Sequence, residues 1–189
     1  ITIDARNDEP VFAGLGGTIS FTEAQTALAT LDSNATVTDD DEIDFNGGSL
    51  VVSISANAQG AEDNLNVDTA ISVTGTNVAY NGNTFASLSQ ALTANNTSLS
   101  FAFNSNATTT EVNALIQSLY YDNTNDDNPV TTTRTVSFTF TDIADTAQTT
   151  PATGSVDVTI TAQNDSPEIE HFDDTITFTE GGAAIAIEN

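Results

Sequence analysis

The chain has 189 residues, of which 27 are acidic and only Arg6 and Arg134 are basic, so its formal net charge is −25. Nucleic acids and anionic membrane surfaces are bound through basic groups, so this charge excludes both as partners. There is no cysteine, which excludes disulfides and thiolate metal sites. No apolar run approaches the roughly 20 residues of a membrane helix, so we expect no direct membrane insertion.

Most of the chain alternates apolar residues with Ser, Thr or Asn, as strands with one buried face do. In chain order the predicted strands are TISFT from residue 18, SLVVSISA from 49, AISVTG from 70, LSFAFN from 99, TVSFTFTD from 135 and SVDVTITA from 155. Turn-forming clusters, NGG at 46–48 and NGN at 81–83, separate several of them. The pattern predicts an all-β antiparallel sandwich.

The segment TTTEVNALIQSLYY, residues 108–121, departs from this alternation. Val112, Leu115, Ile116 and Leu119 follow helical spacing, and Thr108 with Glu111 has the spacing of a capping box. We therefore expect one short helix that packs its apolar face on the sandwich.

The beginning of the chain recurs near its end. At an offset of 157 residues, ITIDARNDEP aligns with VTITAQNDSP and TISFTE aligns with TITFTE without a gap. We therefore divide the chain into an interdomain linker (1–10), one β-sandwich repeat (11–163), and the linker and first strand of the next repeat (164–189).

Strand direction predicts where the carboxylates gather, because successive strands run between the same two ends of a sandwich. One end is expected to collect Asn7, Asp8, Asp39, Asp41 and Asp142. The other is expected to collect Glu23, Asn164 and Asp165, with Asp122 as a further member. Clustered carboxylates repel one another unless a cation lies among them, and ligands that are all oxygen favour Ca²⁺. The pattern therefore predicts calcium sites.

The same residues resemble the marks of cadherin repeats. NDEPVF, the Glu23 of FTEA, ATVTDDDEIDFNGG, FTFTD and VDVTITAQNDSP match, in order, an Asn-Asp linker followed by Pro, a first-strand Glu, an Asp-x-Asp loop, an Asp after the penultimate strand, and the next linker. The central part is similar to the long cadherin-like repeats of giant secreted bacterial proteins, particularly RTX-type adhesins. This resemblance implies a cadherin-like or Ig-like Greek-key sandwich.

By that resemblance, Asn7, Asp8, Asp39, Asp41 and Asp142 match calcium ligands at one junction, and Glu23, Asn164 and Asp165 match those at the other. Asp122 matches the acidic loop that precedes the penultimate strand of cadherin repeats. The linker is one residue shorter than in animal cadherins, and Ala5 and Ala162 stand where an acidic residue commonly precedes it. The number of ions is therefore left open.

Two functions follow as hypotheses, both on an extracellular cell-surface protein. In the first, calcium stiffens a module whose partners are neighbouring repeats of the same chain, in a large bacterial adhesin. In the second, a calcium ion with an open position binds a peptide or glycan of another cell, with the loops at 59–64 and 122–128 as the places to look. An enzyme is not expected, because a hydrolase triad would have to use His171, the only histidine.

Overall fold

A computed structural model describes residues 8–40, 44–142, 150–167 and 179–182. It contains one helix and thirteen strands within these residues: β1 (Val11–Ala13), β2 (Thr18–Thr22), β3 (Ala29–Thr30), β4 (Thr36–Thr38), β5 (Ser49–Ala56), β6 (Asp63–Val67), β7 (Ile71–Thr74), β8 (Asn77–Tyr80), β9 (Asn83–Leu88), β10 (Ser98–Phe103), α1 (Thr109–Ser118), β11 (Leu119–Asn123), β12 (Arg134–Thr141) and β13 (Ala152–Thr161). The predicted all-β sandwich with one short helix is confirmed.

The strands form one large sheet and two small ones. The large sheet has the order β2-β13-β12-β5-β10-β9-β8-β7, and the small sheets have the orders β3-β11-β6 and β1-β4. Pairings in the described residues are antiparallel, as predicted, with one exception: β2 runs parallel to β13, with Thr18 opposite Asp157 and Thr22 opposite Thr161. The first long strand therefore lies beside the last one.

The alternating sequence explains the long central strands. In β12 every second side chain from Arg134 to Phe140 is buried, and the Thr and Ser residues between them are half-buried on the opposite face. The Asn81-Gly82 turn between β8 and β9 has positive φ at both residues, 49° and 81°, as a two-residue hairpin turn requires. The turn predicted at NGN is thus confirmed.

The helix is shorter than the segment that predicted it. It begins after Thr108, whose hydroxyl accepts a hydrogen bond from the backbone N–H of Thr110 and donates one to the Glu111 carboxylate. Val112, Leu115 and Ile116 are buried, as expected. The helix ends at Ser118, however, because the following residues pair with β6 and β3 as strand β11.

Buried residues of the three sheets and the helix form one core. Around Phe140 the rings of Phe12, Phe45 and Phe103 lie at centroid distances of 6.3, 4.9 and 5.5 Å. Phe12 belongs to β1 and Phe140 to β12, so this aromatic cluster joins a small sheet to the large one. It also fixes how β1 lies relative to the end of β12.

Candidate metal sites at the two ends of the sandwich

The sandwich has two ends, which are named here by the chain segment found at each. At the N-terminal end β1 begins and β4 and β12 finish, since Val11 pairs with Thr38 and the Phe12 ring contacts Phe140. At the C-terminal end β2 and β13 finish side by side. The described members of the two predicted ligand sets lie at the ends that strand direction assigned to them.

Glu23 lies at the C-terminal end, directly after β2. Its backbone N–H donates to the carbonyl of Thr161 at 2.9 Å, so it stands beside the point at which the chain leaves β13. Its Oε2 accepts a hydrogen bond from the backbone N–H of Gln163 at 2.5 Å, and its carbonyl accepts one from Gln163 Nε2 at 3.2 Å. Glu23 is therefore fastened to the beginning of the second linker.

The other carboxylate oxygen of Glu23 is the most informative atom of this end. The residue is only 1% exposed, and its Oε1 is buried with no hydrogen-bond partner among the described residues. A buried carboxylate oxygen without a partner is costly, and a cation is one group that can satisfy it. Glu23 therefore offers a buried carboxylate oxygen that is not bonded to the described residues.

The turn that contains Glu23 recurs in the second copy of the repeat. Ala24 has φ of 54°, and its counterpart at the offset of 157 is Gly181, with φ of 79°. The backbone hydrogen bond from Gln25 to Thr22, 3.0 Å, has its equivalent from Gly182 to Thr179, 2.9 Å. The aligned sequences thus form the same local turn.

The linker residues Asn164 and Asp165 follow Gln163 and are exposed, with Asn164 Nδ2 donating to the carbonyl of Asp165 at 3.0 Å. Both follow directly after the hydrogen bonds that join Gln163 to Glu23. The predicted trio of Glu23, Asn164 and Asp165 therefore shares one end of the sandwich.

Asp122 lies at the same end, on β11. The neighbouring Tyr121 pairs with Ala29 and packs its ring 5.5 Å from that of Phe21, which places β11 close to β2. The half-buried Asp122 side chain accepts a hydrogen bond from the backbone N–H of Asn123 at 3.0 Å. Its pKa is raised, first by burial and also by repulsion from Asp126, against the lowering effect of Asn123.

The raised pKa predicts a measurable effect of Asp122→Asn. A carboxyl whose pKa is higher in the folded state weakens folding as the pH rises through its titration, so the neutral amide should stabilise the metal-free protein at pH 7. We expect the melting temperature in excess chelator to rise by roughly 1–2 °C, a small effect because the side chain is partly exposed. The gain should vanish at a pH low enough to protonate Asp122. A lower melting temperature in chelator at pH 7 would contradict the prediction.

The N-terminal end is described in part. Asp8 is exposed, Asp39 is half-buried after β4, and Asp142 is buried after β12. Gly48 belongs to the same end, where an added Cβ would lie 2.8 Å from the carbonyl of Thr141 and 3.6 Å from the Asp142 Cα. Asn7 and Asp41, the other predicted ligands here, lie outside the described residues.

Within the described residues, three or more His, Asp or Glu side chains are nowhere grouped as a metal site would need.

A buried ionic cluster joins Arg134 to Glu62 and Asp63. Arg134 is fully buried, and its Nε lies 3.0 Å from both carboxylate oxygens of Asp63, while an Nη lies 3.0 Å from Glu62. Tyr121 Oη donates to Asp63 at 2.6 Å, and Val130 N–H donates to Glu62 at 3.0 Å. Arg134 therefore forms ion pairs with both carboxylates.

This cluster includes the acidic loop at 59–64, which was named above as one place to look for peptide or glycan binding. Glu62 and Asp63 are both buried and bonded to Arg134, so they do not face solvent as a binding loop would. One signal in the sequence was available: Arg134 falls on the alternating positions that Val136, Phe138 and Phe140 occupy, so it had to point into the core and needed a buried partner there.

No protein-family model matches the chain, and no curated protein is significantly similar to it. Within the described residues, no helix has the length and apolar character needed to cross a membrane.

Proposed function

We propose that this chain is a calcium-binding, cadherin-like module of a large secreted bacterial adhesin, in which ions at both ends stiffen successive repeats. The observation that carries the proposal is the buried Glu23, whose Oε1 lacks a hydrogen-bond partner among the described residues at the point where the chain leaves for a second Asn-Asp linker. The module would hold the adhesive tip away from the cell surface.

The donor chemistry supports calcium as the ion. Each of the candidate ligands offers oxygen from a carboxylate or an amide, and the net charge of −25 favours the uptake of hard cations. Glu23, Asn164 and Asp165 would hold an ion at the C-terminal end, with Asp122 nearby. Asp8, Asp39 and Asp142, together with Asn7 and Asp41, would hold one at the N-terminal end. Bound there, calcium would supply positive charge that joins the linker to the folded repeat.

The extension role is better supported than ligand capture. An ion that binds a peptide or glycan needs a coordination position open to solvent. The two carboxylates of the 59–64 loop are instead held by Arg134 in the core, at distances of 3.0 Å. Glu23, by contrast, is tied to the linker itself, where an ion would restrict rotation between neighbouring repeats.

Calcium should therefore raise the melting temperature of the chain. An ion that binds only the folded state stabilises it by about 2.7 kcal/mol at 100 times its Kd. For a domain of this size that corresponds to roughly 5–10 °C. Differential scanning calorimetry in calcium and in excess chelator measures the difference, and Glu23→Gln should remove a large part of it.

Asp157→Asn is the matched control, because it also removes one negative charge, but from the outer face of β13, where Asp157 accepts a hydrogen bond from Thr135. This variant should keep the full calcium effect. Equal melting temperatures in calcium and chelator for the unaltered chain would refute the proposal. So would an undiminished calcium effect in Glu23→Gln.

A further inference from the structure

The exposed large apolar side chains of the described residues lie at the ends of the sandwich. They are Val11, 57% exposed, at the N-terminal end, and Leu28 and Val130, 53% and 41% exposed, at the C-terminal end. Leu28 immediately precedes Ala29, which pairs with Tyr121. Val130 is placed there by its hydrogen bond to Glu62. The C-terminal end thus presents two apolar side chains beside its carboxylates.

These two residues flank one short sheet. Leu28 lies at the β3 side and Val130 at the β6 side of the order β3-β11-β6. Neighbouring strands are about 4.8 Å apart, so the outer strands of this sheet are separated by roughly 10 Å. That separation is small enough for a single folded partner to cover both side chains.

The repeated sequence keeps the apolar character at position 28. At the offset of 157, Leu28 corresponds to Ile185, whereas Val11 corresponds to Glu168. An isolated exposed apolar residue needs no explanation, but Leu28 retains its class in both copies although its own sandwich leaves it half uncovered. A contact outside the sandwich would account for that retention.

The course of the chain identifies the partner. Gln163 is bonded to Glu23, and the four residues 164–167 that follow are exposed. Four residues span at most about 14 Å, so the second copy of the repeat, which continues from Glu168, is tethered within that distance of the C-terminal end. At this effective concentration even a small apolar patch can be occupied.

Resting on the proposed tandem arrangement, we propose that Leu28 and Val130 dock the following repeat through an apolar contact that does not require calcium. The joint then has two parts. Ions at Glu23 and the linker restrict it when calcium is present, and the apolar contact limits its opening when calcium is absent. The proposed partner in this apolar contact is a neighbouring domain of the same chain.

The test uses a chain that contains this repeat and the whole of the following one. Spin labels on the two repeats report the distribution of distances between them by pulsed electron resonance, in calcium and in excess chelator. In chelator the double variant Leu28→Ser, Val130→Thr should show a distribution at least twice as broad as that of the unaltered chain. Val51→Thr, a half-buried site on the outer face of β5, is the control and should leave the distribution unchanged.

A second measurement does not depend on the variants. Relaxation of the Leu28 methyl groups by a neutral soluble nitroxide should fall at least twofold when the following repeat is present. The proposed apolar contact would be overturned if the methyl relaxation were the same with and without the following repeat. It would also be overturned if the double variant had the same distance distribution in chelator as the unaltered chain. A distribution that depends on protein concentration would also overturn it, because it would make a second chain the occupant. Failure of calcium to narrow the distribution in the unaltered chain would instead contradict the proposed calcium joint.

Discussion

Replacing Arg134 with methionine is expected to destabilise the folded state by about 3–5 kcal/mol. The guanidinium is fully buried and bonded to Asp63 and Glu62, which are buried as well. Without it, two carboxylates would remain in the core with neutral donors alone, from the side chains of Tyr121 and Asn125 and the backbone of Gln59 and Val130. The cost therefore comes chiefly from the charges left behind.

Urea unfolding followed by circular dichroism measures this loss. The triple variant Arg134→Met, Glu62→Gln, Asp63→Asn removes the stranded charges and should recover at least half of this loss. Arg134→Lys keeps the charge, but it lacks the planar guanidinium that reaches Asp63 through Nε and Glu62 through an Nη. The lysine variant should fall between methionine and the unaltered chain. A loss below about 1 kcal/mol in Arg134→Met would show that the ion cluster does not stabilise the fold.

Phe140→Ala is expected to cost about 3–5 kcal/mol, the usual range for truncating a buried phenylalanine. Phe140 is fully buried and its ring contacts Phe12, Phe45 and Phe103. Phe140→Leu should cost less, since it retains most of the buried volume. Urea unfolding followed by circular dichroism measures the loss in free energy of unfolding for both variants.

The effect of Phe140→Ala should extend to the proposed calcium binding at the N-terminal end. Phe140 precedes Asp142 by two residues and packs on Phe12, so loss of its ring loosens the two strands that carry the candidate ligands. The increase in melting temperature produced by calcium should therefore shrink. Leu99→Ala, buried in the middle of the large sheet opposite Val52, is the control and should lower stability while leaving the calcium effect intact. If calcium raised the melting temperatures of both variants equally, the aromatic cluster would not influence the candidate site and the prediction would be wrong.

Sequence alternation predicted the long strands well because their two faces meet opposite environments. The SLVVSISA segment coincides with β5, and the NGN turn joins β8 to β9. Strand β6 was hidden from such reasoning, since its sequence DNLNV has buried Asp63 and Asn64 where an apolar residue is expected. Asp63 is accommodated there by Arg134, far along the chain, together with hydrogen bonds from Tyr121 and the backbone of Gln59.

The two ends of the candidate site could be assigned from strand direction alone, because each strand crosses the sandwich from one end to the other. The hydrogen bonds of the individual side chains could not be predicted in this way. That Gln163 occupies one oxygen of Glu23 and leaves the other without a described partner depends on the parallel pairing of β2 with β13. The sequence predicted antiparallel strands and contains no local signal for that pairing.

The parallel pairing of β2 with β13 also governs how the molecule bears tension. In the proposed tandem arrangement, a pull along the chain would draw β2 towards the N-terminal end and β13 towards the C-terminal end. The five aligned residue pairs from Thr18–Asp157 to Thr22–Thr161 are then loaded in shear, and their hydrogen bonds must yield together. An antiparallel hairpin pulled from its open end would instead unzip one bond at a time. In the proposed tandem arrangement, the position of the first long strand beside the last one would therefore make this domain resistant to unfolding by force.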